Sequence, residues 1–133
     1  MELDLNYYSI CTGIISGIIL FQSSAVAPSV FNTLKPEAAS VFLRTIFPKM
    51  FLYIFVFGIV SLGILIMEGD YDGVQLYVSC ITVTGSGFCY LLIPQTNKAR
   101  DDGDDTTFTV LHTISVLITI SILLLNAFWQ LIV

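Results

Sequence analysis

Four long apolar runs constrain this chain more than any other feature. They cover roughly 7–31, 50–67, 73–93 and 108–133, and none has an Asp, Glu, Lys or Arg in its interior. Each approaches or exceeds the roughly 20 residues of α-helix that cross about 30 Å of hydrocarbon. Spanning β-strands would instead alternate apolar and polar residues in segments of about ten, and no such alternation is seen. The expected fold is therefore all-α: a single integral membrane four-helix bundle over 1–133, its helices packed antiparallel with a left-handed twist. Composition agrees. Hydrophobic residues make up 56% of the 133 and charged ones 11%, more apolar surface than a soluble fold of this size can hide. With five Lys and Arg against a net charge of -5, the chain lacks the clustered cations that nucleic-acid binding needs. Its first partner is the lipid bilayer.

The start of the chain offers one competing reading. Ala25-Val26-Ala27 has the small-x-small pattern of a signal-peptide cleavage site. Yet Glu2 and Asp4 stand where a secretory signal carries Lys or Arg, and Pro28 would follow the cut. The segment is read as a retained first helix.

The basic residues set the expected topology. Lys35, Arg44 and Lys49 lie between the first two runs, and Lys98 and Arg100 between the last two. The positive-inside rule puts loops 32–49 and 94–107 in the cytoplasm and both termini outside, as in a bacterial inner membrane. Tyr7, Tyr8, Tyr71, Tyr77 and Trp129 then belong to the outer interface, and Phe31, Phe47, Tyr90 and Phe108 to the inner one. The short, glycine-containing turn Glu68–Gly73 predicts a tight hairpin of helices two and three. In the first cytoplasmic loop, Glu37, Ser40 and Arg44 share one helical face while Ala39, Val41, Phe42 and Ile46 fill the other. This pattern predicts a short amphipathic helix on the inner interface, from Pro36 to Phe47, stopped by Pro48. The alternative is an early, bent start of the second span.

Small and polar residues mark expected packing seams. They are Ser9, Gly13, Ser16, Leu20, Ser23 and Ala27 on the first helix and Ser79, Thr82, Ser86 and Cys89 on the third. On the fourth they are His112, Ser115, Thr119, Ile122, Asn126 and Trp129. Alternating steps of three and four place each set on one face, where small residues admit a neighbouring backbone and hydroxyls bond across helices. Gly13-x-x-x-Gly17 suits packing within the bundle, homodimerisation or docking to a larger complex. The second helix is nearly all apolar, and its Phe47, Phe51 and Phe55 stripe reads as lipid contact or as a surface for a partner or flat ligand.

His112, the one histidine, draws suspicion because ionisable groups at membrane depth are costly. On the expected topology, Gln22, Ser23, Ser86 and Cys89 share its half of the bilayer and form a candidate polar cluster with it. The plainer reading is a neutral histidine satisfied by a serine or a carbonyl. A haem would want a pair of axial ligands, which one histidine does not supply within a chain. Cys11, Cys80 and Cys89 fall at different depths and make no metal-ligand set. Asp101-Asp102-Gly103-Asp104-Asp105 lacks the EF-hand order of oxygen ligands and is better read as a solvated turn, with Asp105 or Thr106 capping the fourth helix. No phosphate-cradling glycine loop, Ser/His/Asp arrangement or buried carboxylate pair occurs, so no catalytic set is assigned.

Four short signatures then coincide. They are Ala27-Pro28-Ser29-Val30-Phe31, Ile46-Phe47-Pro48, Ile93-Pro94-Gln95-Thr96-Asn97-Lys98-Ala99-Arg100-Asp101, and Phe108 through Leu111-His112-Thr113-Ile114-Ser115-Val116. In order and spacing they resemble a family of small four-helix membrane proteins of unknown function, akin to eukaryotic transmembrane protein 205. The resemblance implies fold and topology, with Pro28, Pro48, Pro94, Asn97, Arg100 and Asp101 as a cytoplasmic motif. It implies no reaction. The family pattern often reads His-Arg-x-Ser in the last signature, and Thr113 replaces the basic residue here. Three functions stay open: a non-catalytic component acting as an oligomer or accessory subunit, a transporter or permeation component built by oligomerisation, and a haem- or metal-linked membrane oxidoreductase.

Overall fold

A computed structural model describes residues 6–70 and 73–132. Four helices, Tyr7–Thr33, Pro36–Glu68, Val74–Asp101 and Asp105–Leu131, are each long and apolar enough to cross a membrane. No strand occurs among the described residues. The expected interfacial place of Tyr71 falls outside the described residues, as do Glu2 and Asp4.

The helix ends follow local chemistry. Asn6 opens the first span by accepting the Ser9 amide at 3.2 Å, and Asp104 opens the fourth by accepting that of Thr107 at 3.1 Å. The expected cap at Asp105 or Thr106 thus lies just upstream. Its hydrogen bonds from Thr107 hold the Asp104 carboxyl below the usual range. Pro36 starts the second helix, its missing N–H lost among the unpaired first-turn donors. The second and third helices both close through a glycine with positive φ, Gly69 (74°) and Gly103 (69°). In each, the following residue reaches back to a carbonyl of the last turn: Asp70 to Leu65 at 3.0 Å and Asp104 to Ala99 at 2.9 Å.

Pro48 does not stop its helix as expected, and Pro28 and Pro94 are likewise carried inside helices. Pro48 and Pro94 lie inside continuous helices. The predicted separate helix over 36–47 is thus the first turns of the second span, as in the alternative reading. The third helix likewise runs on through Asp101. Proline deletes one backbone bond but leaves the next turn free to continue, and bundle neighbours and Ser/Thr side chains can satisfy freed groups. Lys98 and Arg100, in the last turn of the third helix, favour its negative end. Pro28 is accommodated differently. The helix widens to a π-helical segment over Gln22–Val26, and the Ala27 amide bonds to Gln22 O.

The core lies in two parts. Ile15, Ile19, Met50, Phe51, Ile54, Cys89 and Ile122 form one. Tyr8, Leu65, Val78 and Trp129 form the other, closing one end of the bundle, with Tyr8 edge-on to Trp129 at 5.1 Å between ring centroids. Tyr8 and Trp129, expected at the outer interface, are thus buried inside the bundle. The aromatic stripe of the second helix also turns inward: Phe51 is buried, Phe47 packs on the core, and Phe55 lies across the helix contact near Gly87.

Candidate functional site

The third span supplies the polar residues that tie the helices together. Ser79, Thr82, Ser86 and Cys89 are all buried. The Ser61 and Ser79 hydroxyls lie 2.9 Å apart, and Ser61 Oγ also reaches Gly58 O at 2.8 Å. Asn126 donates to Thr82 Oγ1 at 2.8 Å and to Ile122 O at 2.9 Å. Cys89 Sγ approaches Ser115 O at 3.8 Å, and Tyr8 donates to Gln75 O at 3.0 Å. Ser86 and Thr119 turn back on their own helices, donating to Thr82 O and Ser115 O. These interior groups thus find partners inside the bundle, on backbone carbonyls or on one another, as hydrocarbon surroundings demand.

The five residues of the expected polar cluster do not share one environment. Gln22, Ser86 and Cys89 are buried, whereas Ser23 and His112 are exposed. His112 stacks on Phe108 with ring centroids 5.5 Å apart and planes 6° apart. The fourth-span seam is buried at Ile122, Asn126 and Trp129 and half-buried at Ser115 and Thr119, but it opens at His112, close to the helix start. Cys89 is fully buried and His112 exposed. With one histidine, the chain supplies no pair of histidine axial ligands and does not fit a bis-histidine haem. Among the described residues no three His, Cys, Asp or Glu side chains gather as metal ligands.

The first span is rotated relative to expectation. Its buried face carries Tyr8, Cys11, Thr12, Ile15, Ser16, Ile19 and Gln22, while Gly13, Gly17 and Ser23 face outward. A Cβ added at Gly13 or Gly17 would meet no atom within 4 Å. One interior group lacks a partner: the Gln22 amide nitrogen, where the π-helical segment begins.

At the opposite end from Tyr8, Arg44 makes two hydrogen bonds to the Asp101 carboxylate, at 2.5 and 3.1 Å, joining the second helix to the third. Arg100 sits 4.5 Å over the Phe108 ring. Of the expected motif, Arg100 and Asp101 therefore brace this end, while Asn97 is half-buried and Pro28, Pro48 and Pro94 lie within helices. Sequence reasoning missed Ser61, although Gly58, Ser61 and Leu65 repeat the three-four spacing used for the other spans. It also missed the Arg44–Asp101 pair, whose partners lie far apart in sequence.

Four helices long and apolar enough to cross a membrane define an integral membrane protein. The chain belongs to the DUF4149 family, a domain of unknown function, whose model matches residues 10–131. No curated protein and no solved structure matches it.

Proposed function

We propose that this is a non-catalytic membrane component that works by associating, with itself or with a larger complex, through the outward face of its first span. The observation that carries this reading is the free space above Gly13 and Gly17. A glycine pair one turn apart lets a second helix approach closely, and van der Waals packing of that kind drives association in lipid. The proposal includes a single four-helix domain in antiparallel, left-handed packing and kinship with transmembrane protein 205. It also puts the Arg44–Asp101 end in the cytoplasm of a bacterial-type inner membrane, from the distribution of Lys and Arg.

Native mass spectrometry from lipid nanodiscs tests the association. Wild-type protein is expected as an oligomer or with a bound partner, and Gly13→Leu with Gly17→Leu as a lone monomer. A wild-type monomer without partners in native lipid, or an assembly indifferent to both substitutions, overturns the reading.

A further inference from the structure

The four aspartates at the turn between the third and fourth helices are not evenly used. Asp101 holds Arg44, Asp102 pairs with Lys98 at 3.5 Å, and Asp104 accepts the Thr107 amide. Asp105 is exposed in the first turn of the fourth helix, and neither ion pair uses it. Arg100 is also outside both pairs: its guanidinium lies over the Phe108 ring. Lying across a ring fixes where the charge sits without neutralising it. This end of the bundle thus carries one open carboxylate and one open, positioned guanidinium, about one helical turn apart in depth.

Their order by depth has a chemical match. Asp105, Phe108, His112, Val116 and Ile120 follow steps of three and four along one side of the fourth helix. That helix descends from the charged turn into the apolar span at about 1.5 Å per residue, so Asp105 is outermost. The Arg100 side chain leans toward the start of its own helix, inward from the turn, and this brings its guanidinium level with Phe108. His112 lies one turn deeper, exposed and stacked on Phe108, with a ring N–H to donate in either tautomer. Val116 and Ile120 are exposed below it. From outside inward, the edge offers an acceptor for an ammonium, a cation for a phosphate, a donor for an ester carbonyl and an apolar strip. A phospholipid with a primary ammonium head presents its groups in that order. An anionic glycerol head has no ammonium for Asp105, and a choline head has no N–H to donate to it.

We propose that this edge of the bundle binds one phosphatidylethanolamine-type lipid of the adjoining leaflet, its ammonium on Asp105, its phosphate on Arg100 and an ester carbonyl at His112. The site does not depend on association through Gly13 and Gly17. The test uses the delipidated full-length protein, with phosphatidylethanolamine, phosphatidylcholine and phosphatidylglycerol of matched chains compared by native mass spectrometry. Phosphatidylethanolamine is expected to be retained about fivefold better than either, the scale of one added hydrogen bond. Asp105→Asn brings its retention down to that of phosphatidylcholine, which is itself unchanged. Arg100→Gln weakens both of these lipids, because both carry the phosphate. Lys49→Gln, which removes an equal charge elsewhere at the same end, keeps the preference, as does Gly13→Leu with Gly17→Leu. Asp105, Arg100 and Lys49 are exposed, and melting curves in detergent confirm that each variant is folded. Equal retention of the three lipids, phosphatidylglycerol held best, a preference that survives Asp105→Asn, or equal loss in Arg100→Gln and Lys49→Gln would overturn the site.

Discussion

Ser79, Ser86 and Cys89 on the third span and Gly13 and Gly17 on the first follow the same small-residue spacing, yet they face opposite surroundings. The third-span set is buried against its neighbours, and the first-span glycines look outward into open space. Smallness permits close approach without selecting it. On the third span three positions meet something that uses the room: Ser61 beside Ser79, Asn126 on Thr82, the Ser115 carbonyl near Cys89. On the first span the inward side is decided by larger residues, Tyr8, Ile15 and Ile19, whose packing contributes more than a glycine could.

Substitutions can break this contrast. The largest effect is expected at Gly58, where an added Cβ would come within 2.9 Å of Val83 Cγ2 and 3.2 Å of Thr82 Cγ2. Gly58→Val should lower stability by about 1–3 kcal/mol, the usual cost of overpacking, in thermal denaturation in detergent. Full tolerance would mean that the second and third helices are not in such close contact. Asn126→Leu comes next. It removes the bond to Thr82, and a loss of about 0.6 kcal/mol, at most near 1.7, is expected from interhelical bonds in membrane proteins. A Thr82→Val, Asn126→Leu double variant should lose less than the sum of the singles, because the two side chains share one bond.

Asp104→Ala should produce a smaller fall in melting temperature, since its carboxylate caps only one helix end. The carboxyl titrates below its ordinary range in the folded state. The cap's contribution is therefore complete above the unfolded pKa and lost as pH falls through the lower folded one. Wild type and variant should converge only in strong acid, and a gap that closed near neutral pH would contradict the cap. The smallest effect belongs to the other side of the comparison: Gly13→Leu with Gly17→Leu should leave the unfolding of the isolated chain in micelles unchanged. A marked loss there would place these glycines inside the bundle.

The spans were legible because hydrocarbon length and missing charges are properties of a sequence window. The third-span seam and the lower fourth-span seam were legible because three-four spacing fixes a face. What spacing does not fix is which face wins when two are available, and the first span shows the cost of that ambiguity. It offers Gly13, Gly17 and Ser23 on one side and Tyr8, Ile15 and Ile19 on the other. Proline misled for a related reason. Pro48 is expected to stop a helix and Pro94 to fall in a loop, but each removes a single backbone bond that the continuing helix outlasts. The Arg44–Asp101 pair joins residues that only the folded bundle brings together. Spacing puts His112 on the fourth-span seam, whereas its position near the start of that helix decides its exposure.

The widened turn at Gln22–Val26 has a consequence for how this chain can vary. A π-helical turn holds one more residue than an α-turn, so deleting any one residue there would restore the regular ladder. The five-residue ladder would close to four with the flanking helix kept in nearly the same phase, whereas a residue removed from the regular helix on either side would turn everything beyond it by about 100°, the angle between successive α-helical residues. The core-facing stretch through Ile19 and the stretch from Ser29 to Leu34 would keep their mutual alignment in the first case and lose it in the second. The first helix is thus a shaft with a phase joint, the one place along it where a residue can be lost without uncoupling the two halves.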